Sequence, residues 1–66
     1  MTVYRYATLM RPPCLGACPM DGLIKCCYKE GYAPSGHHYW GWCEYNRKLS
    51  DKEVYDYEME QMEVEE

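Results

Sequence analysis

The 66 residues amount to one domain at most, and a chain of this length buries only about 60% of the surface its unfolded form exposes. Eight Tyr and two Trp stand against no Phe, a supply of large half-polar rings suited to surfaces that are part core and part contact. The net charge of −4 opposes unassisted binding to a phosphate backbone, no apolar run approaches a membrane span, and so small a chain rarely encloses a dry catalytic pocket.

Residues 1–13 carry Arg5 and Arg11 and show no signal-peptide core. The expected setting is therefore the reducing cytoplasm. There Cys14, Cys18, Cys26, Cys27 and Cys43 are free thiols or metal ligands, not a disulfide framework, and their odd number agrees.

Residues 2–10 predict a first strand, rich in β-branched and aromatic side chains and free of breakers. Tyr4, Tyr6, Thr8 and Met10 share one face, and Val3, Arg5, Ala7 and Leu9 the other. Bulk favours the Tyr4/Tyr6 face as the inner one. Pro12 and Pro13 end the strand, and residues 14–22 form a loop with the turn pair Asp21-Gly22. Residues 23–29 predict a second strand, with Ile24, Cys26 and Tyr28 inward and Lys25, Cys27 and Lys29 outward. Residues 30–36 read as a hairpin connection.

Residues 37–46 then predict the central third strand, which holds both Trp and both His. Trp40, Trp42, Glu44 and Asn46 take one face, and Tyr39, Gly41, Cys43 and Tyr45 the other. Gly41 in mid-strand marks a bulge or a close approach.

Ser50-Asp51-Lys52-Glu53 is a capping box, with Leu49 and Val54 as its hydrophobic staple. A helix starts at Asp51. Tyr55, Met59 and Met62 share one helical face, which favours a long helix. Residues 55–60 nevertheless alternate strictly, the period of a strand. The alternative is a helix of two turns followed by an extended segment that adds to the sheet or to a partner.

The expected fold is a single α+β domain over residues 1–66: a small three-stranded, mainly antiparallel sheet with one C-terminal helix. Its charge is uneven. Residues 1–49 hold six basic and three acidic side chains, and residues 50–66 hold one basic and eight acidic. A mildly basic body thus carries a strongly acidic end.

Four features compete for a function. Cys14, Cys18, Cys26 and Cys43 would be the ligands of a zinc site, but no second clean C-x2-C pair exists. No bound cofactor is expected, with zinc as the alternative. No local signature joins a Cys to a His as an activated nucleophile, so no enzyme is expected. Trp40 and Trp42 beside Lys25, Lys29, Arg47 and Lys48 suggest a stacking platform, which would make a homodimeric nucleotide- or nucleic-acid-binding protein a second alternative. The acidic element 50–66 reads as a mimic of a phosphate backbone, steered to a basic partner and weakened by salt.

The residues Val3-Tyr4-Arg5-Tyr6, Arg11-Pro12-Pro13, the segment 36–46, Leu49-Ser50-x-x-Glu53 and Tyr57-Glu58 resemble short proteins encoded in bacterial prophages and conjugative elements. In those a Tyr-Arg-Tyr strand and a W-G-W-x-E-Y-x-R-x-L segment precede a short acidic helix. The resemblance implies an accessory protein of a mobile element that inhibits host defence, as anti-CRISPR and antirestriction proteins do. It carries over no functional residue, and the Cys-rich loop has no counterpart in it. The resulting expectation is a non-enzymatic inhibitor or decoy of a nucleic-acid-processing defence complex. It would bind a protein partner through Trp40, Trp42, Tyr55, Asp56, Glu58, Glu60 and Glu63, with neither direct nucleic acid nor membrane as its target.

Overall fold

The computed structural model describes residues 2–14 and 16–65. In chain order the elements are β1 (Val3–Thr8), β2 (Leu23–Cys27), β3 (Gly31–Tyr32), β4 (His38–Tyr39), β5 (Gly41–Tyr45), α1 (Asp51–Asp56) and β6 (Met59–Glu65). Four strands form one antiparallel sheet in the order β2-β5-β1-β6, and β3 and β4 form a separate two-stranded sheet. The expected three-stranded sheet with a C-terminal helix is therefore corrected to a mainly β architecture with one short helix among the described residues. The acidic end makes the difference. After six helical residues the chain turns through Tyr57 and Glu58, whose φ is 52°, and runs back beside β1.

The expected central strand is also divided. His38–Tyr39 pairs with Gly31–Tyr32, and Gly41–Tyr45 pairs with β1 and β2. The break falls at Trp40, whose N–H donates to the Thr8 carbonyl at 2.9 Å. The β3–β4 hairpin is closed by Gly36 N–H to Ala33 O at 2.8 Å and Ala33 N–H to His37 O at 2.7 Å. Its tip reaches β6, where Ser35 N–H donates to Glu60 Oε2 at 3.0 Å.

Register decides the two faces of the large sheet. Tyr4 stands opposite Tyr45, Tyr6 opposite Cys43 and Thr8 opposite Met59. This inner face is the core: Tyr6, Cys43, Tyr45 and Met59 pack with Cys18 and Leu49, flanked by Tyr4, Leu23, Cys26 and Val54. The Tyr4/Tyr6 face is thus the inner one, as bulk suggests. The phase of β2 is as expected at Lys25, Cys26 and Cys27 but not at Ile24 and Tyr28. A register shift between Leu23 and Lys25 leaves Ile24 exposed and seats Leu23 on the core; Tyr28 lies beyond the strand end and is exposed.

The two buried tyrosines also use their hydroxyls. Tyr45 Oη donates to the Pro19 carbonyl at 2.7 Å, and Tyr6 Oη accepts from Leu49 N–H at 3.0 Å. Their rings meet edge to face at 5.9 Å, a favoured aromatic geometry. One hydroxyl ties the loop 14–22 to the sheet, and the other ties the segment that leads into the helix.

The helix start follows from local chemistry. Ser50 Oγ accepts from Glu53 N–H at 3.1 Å, and Glu53 Oε1 accepts from Ser50 N–H at 2.9 Å. Arg47 grips the same carboxylate with both terminal nitrogens, at 2.9 and 2.8 Å. The Arg47 guanidinium, followed by the Ser50 amide, holds the Glu53 carboxyl at about 2 against an ordinary 4.5. A depressed folded-state pKa contributes stability that is present above the ordinary value and lost as pH falls through the folded one. The stability difference between the native chain and Glu53→Gln is therefore expected to be full above pH 4.5 and to vanish as pH falls toward 2. Urea titrations of both proteins across that range measure it, and a difference independent of pH contradicts this role.

Candidate functional site

The outer face of the large sheet is built on charge. Arg5 of β1 stands opposite Glu44 of β5 and donates to Glu44 Oε2 from Nε at 2.8 Å and from Nη2 at 2.6 Å. On its other side, Tyr4 pairs with Val64 and Tyr6 with Gln61, so both Met62 and Glu63 stand opposite Arg5. This bulge brings Glu63 to 2.9 Å and Glu65 to 3.6 Å from the same guanidinium. Three carboxylates thus share one deeply set cation, with Lys25 at 3.8 Å from Glu44 as a more exposed second. The Glu44 hydrogen bond, before any other influence, raises the Arg5 pKa.

Beside this group lies an open cleft of about 420 Å³ lined by Arg5, Tyr32, Pro34, Tyr39, Trp42, Met62 and Glu63. The β3–β4 hairpin forms its far wall. Trp42 meets Tyr39 edge to face at 6.2 Å, and its buried Nε1–H has no hydrogen-bond partner among the described residues.

A second groove, at the end of α1, is lined by Leu9, Val54, Tyr55, Asp56, Glu58 and Met59 together with Asp51. Tyr55 stands 82% exposed there.

Six of the seven residues expected to bind a partner fall into two places, and Trp40 stands apart from both. Tyr55, Asp56 and Glu58 line the groove at the helix end. Trp42 and Glu63 line the cleft, and Glu60 stands on the same outer face, where Ala7 pairs with both Glu60 and Trp42. Trp40 lies at the strand break, half exposed, with its ring edge to face with His38 at 5.1 Å. The acids are not bare. Asp56 pairs with Lys52 at 2.5 Å, Glu58 with Arg11 at 3.8 Å and Glu63 with Arg5. Glu60 is held by Ser35, whose hydrogen bonds lower its pKa ahead of the nearby His37. Sequence reasoning passed over Arg5, Glu44 and Ser35. Alternation placed Arg5 on the outer face, but its partners depend on cross-strand register.

The cysteines form a separate constellation. Cys18 from the loop 14–22, Cys26 from β2 and Cys43 from β5 place their sulfurs within 4.8 Å of one another. Cys26 and Cys43 are register partners, with sulfurs 3.3 Å apart. Burial pushes the Cys26 and Cys43 thiols up, so both are neutral near pH 7. A neutral buried thiol is a poor nucleophile. Cys14, the fourth expected ligand, is exposed, and its carbonyl accepts from the Cys18 thiol at 3.7 Å and from Ala17 N–H at 2.9 Å. Cys27 takes the opposite face, opposite Trp42.

A family model described as defence against restriction A C-terminal matches residues 1–64. No curated protein and no solved structure matches the chain.

Proposed function

The chain belongs to the defence against restriction A C-terminal family, and on that premise we propose that it counters host restriction by binding a protein of the restriction machinery, without catalysis. Membership of the family is the observation that carries this reading. The surface chemistry supports it. Residues 50–66 concentrate eight acids, and Glu44, Glu63 and Glu65 crowd around one guanidinium. Such a face presents a negative field to a partner with a nucleic-acid-binding groove. Charge of this kind speeds encounter and weakens with salt.

The groove at the helix end supplies the contact. Tyr55 is an exposed ring between Asp56 and Val54, the type of side chain that dominates binding energy when a partner covers it. Its acids hold only solvent-exposed ion pairs, worth little to stability. The triple variant Tyr55→Ala, Asp56→Asn, Glu58→Gln is therefore expected to fold as the native chain does. It should lower protection of incoming unmodified DNA in a restricting host by about tenfold or more. Plating efficiency and the thermal midpoint, measured together, check this. Full protection from a folded triple variant removes the groove from the mechanism. A target in another defence complex, such as a CRISPR effector, would show as protection in a host that carries that system alone.

A further inference from the structure

We propose that Cys18, Cys26 and Cys43, completed by Cys14, form a binding site for one zinc ion or another thiophilic divalent cation, which staples the loop 14–22 to the sheet. The proposal rests on geometry. Three thiols reach one point from three separate elements: a loop, strand β2 and strand β5. Their sulfurs lie within 4.8 Å of one another, and the Cys26–Cys43 pair is at 3.3 Å. A tetrahedral zinc–thiolate site with bonds of about 2.3 Å needs sulfurs about 3.8 Å apart. The Cys26–Cys43 pair lies about 0.5 Å below that value and no pair exceeds it by more than about 1 Å, so closing on an ion takes side-chain adjustments well under the length of a bond.

The candidate for the fourth position is Cys14, whose sulfur lies outside the convergent group but whose carbonyl accepts from Ala17 N–H at 2.9 Å, next to Cys18. Cys18 is buried and Cys14 exposed. An exposed final ligand leaves a path of entry from solvent. The alternative, that the three thiols are only small core residues, explains their burial but not their convergence. Cys27 serves as the internal contrast, because it neighbours Cys26 in sequence and stands on the other face, opposite Trp42. A staple also answers the chain's size, since domains of this length commonly need a metal or a crosslink beyond their core.

The test uses the whole chain, reduced with a non-thiol reductant, desalted, and titrated with Co²⁺ and then Zn²⁺. The expected result is a thiolate-to-cobalt charge-transfer band that saturates at one equivalent. Zinc bleaches it, with release of protons and a rise in the thermal midpoint. Cys14→Ser, at an exposed position that leaves the core intact, should weaken metal binding by at least about tenfold. Cys18→Ser should abolish the band, and Cys27→Ser should leave it unchanged. A flat titration overturns the assignment, as does an affinity unchanged in Cys14→Ser or Cys18→Ser. Loss of the band in Cys27→Ser overturns it too.

Discussion

Arg5→Met is expected to destabilise the protein by about 2–3 kcal/mol, the range for breaking a largely buried ion pair by removing one partner, discounted for the small exposure of the guanidinium. Arg5 and Glu44 side chains are 17% and 10% exposed. Without Arg5, Glu44 keeps only Lys25 at 3.8 Å among the described residues, itself 61% exposed. Glu63 and Glu65 lose their shared cation as well, and three like charges then crowd one patch of the sheet. The effect should be partly reversed by adding Glu44→Gln, which removes the orphaned charge and keeps the shape. A surface control sets the scale. Lys52→Ala breaks the exposed pair with Asp56 and should cost little, because water screens such a pair. Urea denaturation of the four proteins measures all these differences. If Arg5→Met costs no more than Lys52→Ala, the cluster is fully screened by water.

Gly41→Ala should be at least as damaging, at about 3 kcal/mol, the upper part of the range for overpacking. The backbone of Gly41 is ordinary strand, so the cost is steric. A Cβ there would run into the carbonyl oxygen of Cys27 and approach the Pro13 ring at 2.7 and 2.9 Å. One obstacle is backbone and the other a rigid ring, so neither gives way cheaply. At about 4–8 °C per kcal/mol for a domain of this size, the thermal midpoint should fall by roughly 12–24 °C. Gly36 makes the comparison clean. Its φ is +94° with nothing within 4 Å of a built Cβ, so Gly36→Ala meets backbone strain alone, of about 1–2 kcal/mol. A Gly41→Ala protein that melts near the native temperature would mean that β2 and Pro13 yield easily.

Both predictions concern the scaffold beneath the acidic face, and they separate stability from function. Arg5 organises three of the carboxylates by which a basic partner would be attracted, whereas Tyr55, Asp56 and Glu58 lie away from it at the helix end. Loss of protection through the latter without loss of stability marks a contact surface. Loss through Arg5 with a lowered midpoint marks the framework.

Several features were legible in the residues. Ser50 and Glu53 announce the helix start because both partners of a capping box lie within one turn. Tyr4 and Tyr6 reveal the inner face of β1 through bulk at alternate positions, and Gly41 marks a close approach that the Cys27 carbonyl supplies, although it opens β5 and does not lie in mid-strand. The acidic end was ambiguous for a physical reason. Residues 55–60 alternate as a strand while Tyr55, Met59 and Met62 share a helical face, and acids near a helix C-terminus oppose its dipole. What decided between them was an open edge of β1, which no local window contains.

By itself, then, the sequence determined what short-range forces decide: the capped helix start, the presence of a first strand before Pro12, its inner face and the opposed charge of body and tail. Only the tertiary structure decided what depends on pairing between distant segments. It set the order β2-β5-β1-β6 and split the Trp-rich stretch between two sheets. It also shifted the phase of β2 at Ile24, gathered three carboxylates around Arg5 and brought three cysteines to one point. Each of these follows from cross-strand register. A one-residue slip reverses every side chain of a strand, and nothing within the strand itself records that choice.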